Sequence, residues 1–473
     1  MKRKTAKSAN RRRFVDREMQ RFLAASVLLF LGVAFTWDGD WCRISRTLFH
    51  PSHRRMPTLA LLPLLIGPKP CAYPTNSQDK GMNVSQAEKP YVQWQDGQTP
   101  RRALWLSESG YAAPAHIVPV DDQTTADHAY RLACEGNYLL WRGDFHNALQ
   151  LMQAMNRRIS RAEQRKASKA AKLGKKPDAE STTASAFHQQ RQAQAQRART
   201  LGRLLLELDA GYVCRLRRAP DLSTACEAAF GALDEPCLIS LRDLQGALGA
   251  AQWREKGVPI AGLEQPIFPH YGVFAPTRHE YVSLMQDAPL PAKHDVAFDI
   301  GTGTGLLAII LAQRGGGQVV ATDSNPRALV CAEDNIERAA LSGVQLQEVD
   351  LFPTGQPLAD LIVCNPPWLP AKPSSALELA VYDPKSRMLR GFLQGVRAHL
   401  APHGEVWLIL SDLAEHLQLR TREQLLAWFA EAKLEVKYRL DTQPKHGRSQ
   451  DSTDPLYAAR SAEVTSLWCL TSA

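Results

Sequence analysis

Val296-Ala297-Phe298-Asp299-Ile300-Gly301-Thr302-Gly303-Thr304-Gly305 decides how the C-terminal half of this chain must be read. Residues 296–300, apolar apart from Asp299, predict a strand buried on both faces. Alternating glycines at 301, 303 and 305 then predict a tight turn into the apolar, helix-length run at 306–313. Outward from there strand and helix alternate: a strand at 319–323, a helix at 326–341 capped by Ser324 or Asn325 with Pro326 in its first turn, and strands at 346–350 and 360–364. A helix near 388–400, a strand at 406–411, a helix at 422–432 and two closing strands at 434–440 and 465–470 complete the series. The pattern predicts an α/β fold: a Rossmann-like, doubly wound, seven-stranded and mostly parallel sheet ending in an antiparallel strand.

Composition narrows the remainder. The 473 residues, 44% hydrophobic and 22% charged, exclude a disulfide miniprotein, a collagen-like repeat and a wholly disordered chain. Nine cysteines, odd in number and never spaced Cys-x-x-Cys, argue against a zinc site or a disulfide framework, so no metal is expected and a reducing, cytoplasmic setting is. The formal charge of +9 invites a polyanion partner, yet thirteen Lys/Arg against four Asp/Glu in residues 1–55 account for all of it. Residues 157–199 hold twelve basic and three acidic side chains, whereas 257–473 hold eighteen and twenty-four.

These shifts divide the chain. Residues 1–80 read as a basic and apolar leader: the apolar run at 22–35 is shorter than a membrane span of about 20 residues. It is either a membrane anchor or an extension upstream of a start at Met56 or Met82. Residues 81–124 read as a small irregular or β element, with a hairpin signal at Asp96-Gly97. Residues 125–256 read as a mostly helical domain, so the fold expected is the Rossmann-like sheet with a mainly α N-terminal domain. Within it, the basic segment 157–199 reads as helix, break, helix, and is either a solvated surface or an arm that touches RNA. A Gly- and Pro-rich stretch at 257 opens the alternating domain, 257–473.

The glycine turn sits where a doubly wound sheet receives a nucleotide. Asp323, about twenty residues on at the end of the second strand, is placed to accept ribose hydroxyls, and Asp350 to accept from an adenine amine or to cap a turn. Leu306 stands where a dinucleotide fingerprint has its third glycine, which favours a smaller adenosyl ligand over NAD. Asn365-Pro366-Pro367-Trp368 follows the fourth strand at the same sheet edge. Two prolines stiffen the turn, so the Asn365 side-chain oxygen and the Pro366 carbonyl become fixed acceptors for an –NH2 group, with Trp368 available to stack on a flat target.

The glycine loop, Asp323, Val349-Asp350-Leu351-Phe352 and Asn365-Pro366-Pro367-Trp368 together resemble class I S-adenosylmethionine-dependent methyltransferases, within them the small methyltransferase group that modifies planar nitrogen. The resemblance covers about residues 268–470 and is nearest to protein-glutamine N5-methyltransferases of translation release factors, whose usual Tyr is here Trp368. It implies S-adenosyl-L-methionine as cofactor, with Asp299, Gly301, Thr302, Gly303 and Gly305 around its methionine part, Asp323 at the ribose and Asp350 at the adenine. It also implies Asn365, Pro366, Pro367 and Trp368 at the target nitrogen, and a macromolecular substrate: an RNA or DNA base amine, or a glutamine of a translation-related protein. Pro276-Thr277-Arg278-His279-Glu280 and Asp383-Pro384 loosely echo two further family segments, and His270, Tyr271, Arg278 and His279 are candidates for the pocket entrance. A non-catalytic cofactor-binding module and a nicotinamide-dependent oxidoreductase are the alternative readings.

Overall fold

A computed structural model describes residues 90–172, 182–278, 280–444, 450–452 and 454–473. The leader at 1–80, its apolar run and His279 lie outside the described residues. No helix among the described residues is long and apolar enough to cross a membrane.

The C-terminal sheet follows from its buried strands. β7 (Val296–Ile300), β8 (Gln318–Asp323), β9 (Val344–Glu348), β10 (Ala359–Cys364), β11 (Leu400–Ser411), β12 (Leu434–Thr442) and β13 (Thr465–Ser472) lie in the order β12-β13-β11-β10-β7-β8-β9. β13 runs antiparallel to both its neighbours, and the other pairings are parallel. The central strand β10 is buried along its whole length, as expected for a strand covered by helices on both faces. The helices of this half include α6 (Glu280–Asp287), α7 (Leu306–Gln313), α8 (Pro326–Arg338), α9 (Arg387–Gly395), the short α10 (Leu413–His416) and α11 (Arg422–Glu431). Asn325 caps α8 through its side-chain oxygen, with Pro326 in the first turn. Strand order reverses between β10 and β7, and that switch point is where a doubly wound sheet opens a crevice for ligands.

Residues 90–256 join the β element expected at 81–124 to the mostly helical stretch expected at 125–256 through three short strands that the reading of the latter did not include. They contain a second sheet of six strands, β1 (Tyr91–Asp96), β2 (Thr99–Leu106), β3 (Ile117–Val120), β4 (Tyr138–Trp141), β5 (Leu204–Leu208) and β6 (Cys237–Ser240), in the order β1-β2-β6-β5-β4-β3. β1 and β2 form the hairpin that Asp96-Gly97 signals. The strands β4, β5 and β6 escape a periodicity reading because each is a run of four or five residues that is almost wholly buried, so neither face leaves a polar alternation. Helices are present as well: α1 (Ala126–Cys134), α2 (Phe145–Lys172), α3 (Thr183–Leu201), α4 (Ser223–Phe230) and α5 (Leu241–Lys256).

The described residues on both sides of position 257 belong to one compact unit. Phe187 of α3 is 2% exposed in a cluster with Leu369, Ala371, Leu413 and Leu417, and its ring lies 6.5 Å from that of Tyr382. Arg191, one turn further along α3, forks onto both carboxylate oxygens of Glu378 at 3.0 and 2.8 Å and covers the Tyr382 ring at 3.9 Å. The segment that leaves the Asn365 turn is therefore packed against the N-terminal half.

Candidate active site

Parallel register brings the two signature turns together. Cys364 of β10 pairs with Ile300 of β7, so the Asn365 turn and the Gly301 turn leave adjacent strands at the same level. Gly301, Gly303 and Gly305 have φ of 76°, 56° and 81°, the left-handed region where a side chain is strained. Their surroundings separate their roles. A Cβ at Gly305 would lie 3.1 Å from Ala332 Cα, so this glycine admits helix α8, whereas nothing approaches within 4 Å at Gly303, whose outer side is open to a ligand.

Two carboxylates brace the loop. Asp299 is fully buried; its Oδ2 accepts from Thr302 Oγ1 at 2.7 Å and from the Ala308 amide at 3.0 Å, tying strand, turn and α7 together. Its Oδ1 has no hydrogen-bond partner. Burial pushes this carboxyl up to about 7, against the Thr302 and Ala308 hydrogen bonds that lower it. Asp323 ends β8, and its Oδ2 accepts the Gly303 amide at 3.0 Å while Oδ1 accepts the Asn325 amide at 2.9 Å. Burial raises its pKa too, opposed by these backbone donors and that of Ser324. Asp350 stands apart: its side chain is 60% exposed and pairs with Arg387 at 3.3 Å. The residue after it, Leu351, holds a left-handed φ of 74°, and its carbonyl accepts from Thr322 Oγ1 at 2.6 Å.

In the Asn-Pro-Pro-Trp turn Trp368 Nε1 donates to Asn365 Oδ1 at 2.9 Å, the oxygen that the sequence reserves for an incoming amine. A carbonyl-type oxygen has two lone pairs, so one acceptor position remains. Trp368 is half-buried against both apolar layers of the sheet, and the Arg278 guanidinium lies 5.0 Å from its ring centre. One face of the expected stacking platform is thus shared with Arg278. Arg278 is fixed in turn by Glu280 at 2.7 Å and by the fully buried Glu463 at 3.0 Å, which also accepts from Ser411 Oγ at 2.6 Å.

The other candidates resolve into supporting parts. His270 Nε2 sits 2.9 Å from Asp334 on α8, and Tyr271 is buried with its hydroxyl unpartnered. Asp383 accepts the amides of Met388 and Leu389 at 3.0 and 3.1 Å, which caps α9, while its own amide donates to the Leu369 carbonyl at 2.8 Å just after the turn. Sequence reasoning missed Met388, whose Cε would meet a Cβ at Gly301 at 2.8 Å, and the bracing hydroxyl of Thr322; both contacts join segments distant in sequence.

The residues suit an adenosyl sulfonium cofactor: an orphaned buried acceptor on Asp299, an open side at Gly303 and an acidic strand end at Asp323 lie at the C-terminal ends of β7 and β8, where the strand order reverses next to β7. Leu306, 3% exposed, fills the place of a dinucleotide's third glycine. No cluster of three or more His, Cys, Asp or Glu that could hold a metal ion occurs among the described residues, and none of the seven described cysteines is in a disulfide.

Comparison with known proteins agrees in kind. The family model "Methyltransferase small domain" matches residues 264–438. A release factor glutamine methyltransferase of Geobacter sulfurreducens is 38% identical over 116 residues, 24% of this chain and 40% of that protein. A tRNA1(Val) (adenine(37)-N6)-methyltransferase of Parabacteroides distasonis is 31% identical over 175 residues, 35% of this chain and 73% of that protein. Among solved structures, a ribosomal protein L11 methylase from Lactobacillus delbrueckii subsp. bulgaricus aligns with a TM-score of 0.31 at 20% identity, covering 46% of this chain and 90% of that one. The chain spans 40% and 49% of the length of two release-factor relatives, so its likeness to them is confined to part of each. With its glycine loop, acidic strand end and Asn-Pro-Pro-Trp turn on one sheet edge, the chain belongs to the methyltransferase small domain family.

Proposed function

We propose that this protein is an S-adenosylmethionine-dependent N-methyltransferase whose acceptor is a planar nitrogen of a macromolecule. The observation that carries this reading is the register of β10 on β7, which sets Asn365 beside Gly301 across one strand spacing. Bound S-adenosylmethionine supplies a methyl group activated by the sulfonium. Thr302 and Gly303 would hold its methionine part, with the unpartnered Oδ1 of Asp299 beneath them, and Asp323 would accept from the ribose. Asp350, on the exposed rim, would meet the adenine only from its edge.

Asn365 and the Pro366 carbonyl would take the two N–H groups of the acceptor, turning its lone pair toward the methyl carbon. Positioning of this kind is worth about 7 to 11 kcal/mol in effective molarity. No strong base is required, since the nitrogen becomes acidic only after it has gained the methyl group. Trp368 and Pro367 shape the site, Trp368 offering to a flat acceptor whatever ring surface Arg278 leaves free. Seven described cysteines without a disulfide among them fit a cytosolic setting, which forms part of this proposal.

Transfer of tritiated methyl from S-adenosylmethionine into a lysate tests the reading. Wild-type protein is expected to bind the cofactor by calorimetry and to label a macromolecular fraction. Asn365→Ala is expected to retain cofactor binding and to lose at least about 100-fold in incorporation, the scale of removing one preorganised hydrogen-bonding group. Full labelling by that variant, or calorimetric preference for NAD, overturns the proposal.

A further inference from the structure

We infer that the α2–α3 hairpin is an RNA-holding arm that delivers its ligand to the Asn365 turn. The inference rests on the methyltransferase reading above and specifies its substrate class. Arg157, Arg161, Arg165 and Lys169 recur every fourth residue along α2 and are all exposed. At 1.5 Å rise per residue they form a row about 18 Å long with steps of about 6 Å, on a scale suited to successive phosphates of a strand.

Their neighbours distinguish this row from an ordinary solvated face. Arg158 is neutralised by Asp127, and Arg197 by Glu163 at 2.6 Å, but none of the four has a carboxylate partner among the described residues. Placement follows from the hairpin. Arg197 of α3 bonds Ser160 and Glu163 of α2, so the row on α2 lies beside α3, the helix that also carries Arg191. Arg191 is the residue that forks onto Glu378 and covers Tyr382, in the segment that follows Trp368. α3 therefore joins the helix that carries the row to the segment leaving the Asn365 turn.

Charge selects the occupant. Residues 257–473 carry eighteen basic against twenty-four acidic side chains, so that half of the chain repels a polyanion and needs an attractive element from outside itself. A basic row with no carboxylate partner among the described residues fits the phosphate backbone of RNA, whereas the neutral amide of a glutamine acceptor offers it no charge to meet.

The test uses the full chain and fluorescein-labelled unfractionated tRNA, read by anisotropy between about 50 and 200 mM KCl, where counterion release governs affinity. Arg161→Gln/Arg165→Gln/Lys169→Gln preserves helix propensity, and unchanged calorimetric S-adenosylmethionine binding verifies its fold. Expected are a slope of log affinity on log salt shallower by about two to three, and a Kd about tenfold weaker near 100 mM, with Arg397→Gln as an unaffected surface control. An unchanged slope overturns the arm. So does methyl label that survives ribonuclease and disappears with protease, since the substrate is then a protein although the enzyme reading stands. Failure of the wild-type protein to bind S-adenosylmethionine removes the enzyme reading, and with it the arm's role in delivery.

Discussion

The indole N–H of Trp368 donates to the side-chain oxygen of Asn365 at 2.9 Å, so the turn holds its own amide side chain in place. An Asn without this donor rotates about its side-chain torsions and presents oxygen or nitrogen to the acceptor with less selection. Trp368→Phe keeps a ring and loses the donor. The hydrogen bond is worth about 1 kcal/mol, so kcat should fall about five- to tenfold with cofactor affinity unchanged, as checked by single-turnover methyl transfer.

Arg278 answers to two buried carboxylates. Arg278→Ala leaves Glu463 and Glu280 without their shared guanidinium and uncovers one face of Trp368. A cost of about 3 kcal/mol in urea unfolding is expected, the scale of breaking a buried pair, together with a rise in KM for the acceptor. Arg278→Lys restores charge without the fork and should recover less than half of either loss.

The glycines predict two separable defects. Gly305→Ala adds a left-handed strain of about 1 to 2 kcal/mol to a push against the Ala332 backbone, and should lower Tm by several degrees. Gly303→Ala meets only the strain, so its Tm changes less, yet a methyl on the open side should weaken S-adenosylmethionine binding at least about tenfold. Thermal melts paired with calorimetry distinguish the two.

Asp299 gives stability a pH dependence of unusual sign. Unfolded, its carboxyl titrates near 3.9, whereas burial raises it to about 7 in the folded chain. Between these values the folded state keeps a proton that the unfolded state has released. This group's contribution is therefore complete below about pH 4, declines as pH rises, and is lost above about pH 7. Asp299→Asn should flatten the profile of unfolding free energy over that window; an unaltered profile counts against the assignment.

Phe187 links the halves. Phe187→Ala empties a buried site among Leu369, Ala371, Leu413 and Leu417, and should cost about 3 to 4 kcal/mol by denaturant unfolding. Because Leu369 and Ala371 follow Trp368 directly, acceptor KM should rise while cofactor affinity holds.

What the chain discloses before folding depends on the range of each interaction. Asp299 to Gly305 and Asn365 to Trp368 are legible because strand, turn and helix follow one another within a dozen residues, and the parallel pairing then sets the two turns side by side. β4, β5 and β6 were hidden because short, fully enclosed strands carry no period of two. Asp350 shows the opposite failure: its position after β9 invites a buried role, but Arg387, remote in sequence, holds it on the rim. Arg278 above Trp368, with Glu463 behind it, joins three distant segments, and no local pattern announces such a stack.

The docking of α3 has a practical corollary. Trimming the molecule at residue 257 to isolate its catalytic half would strip the lid from Leu369, Ala371 and Leu417 and leave Glu378 without its arginine. Such a fragment would carry a sticky oil-like scar next to the Asn365 turn and precipitate or clump, and poor turnover by it would say nothing about the chemistry of the intact enzyme.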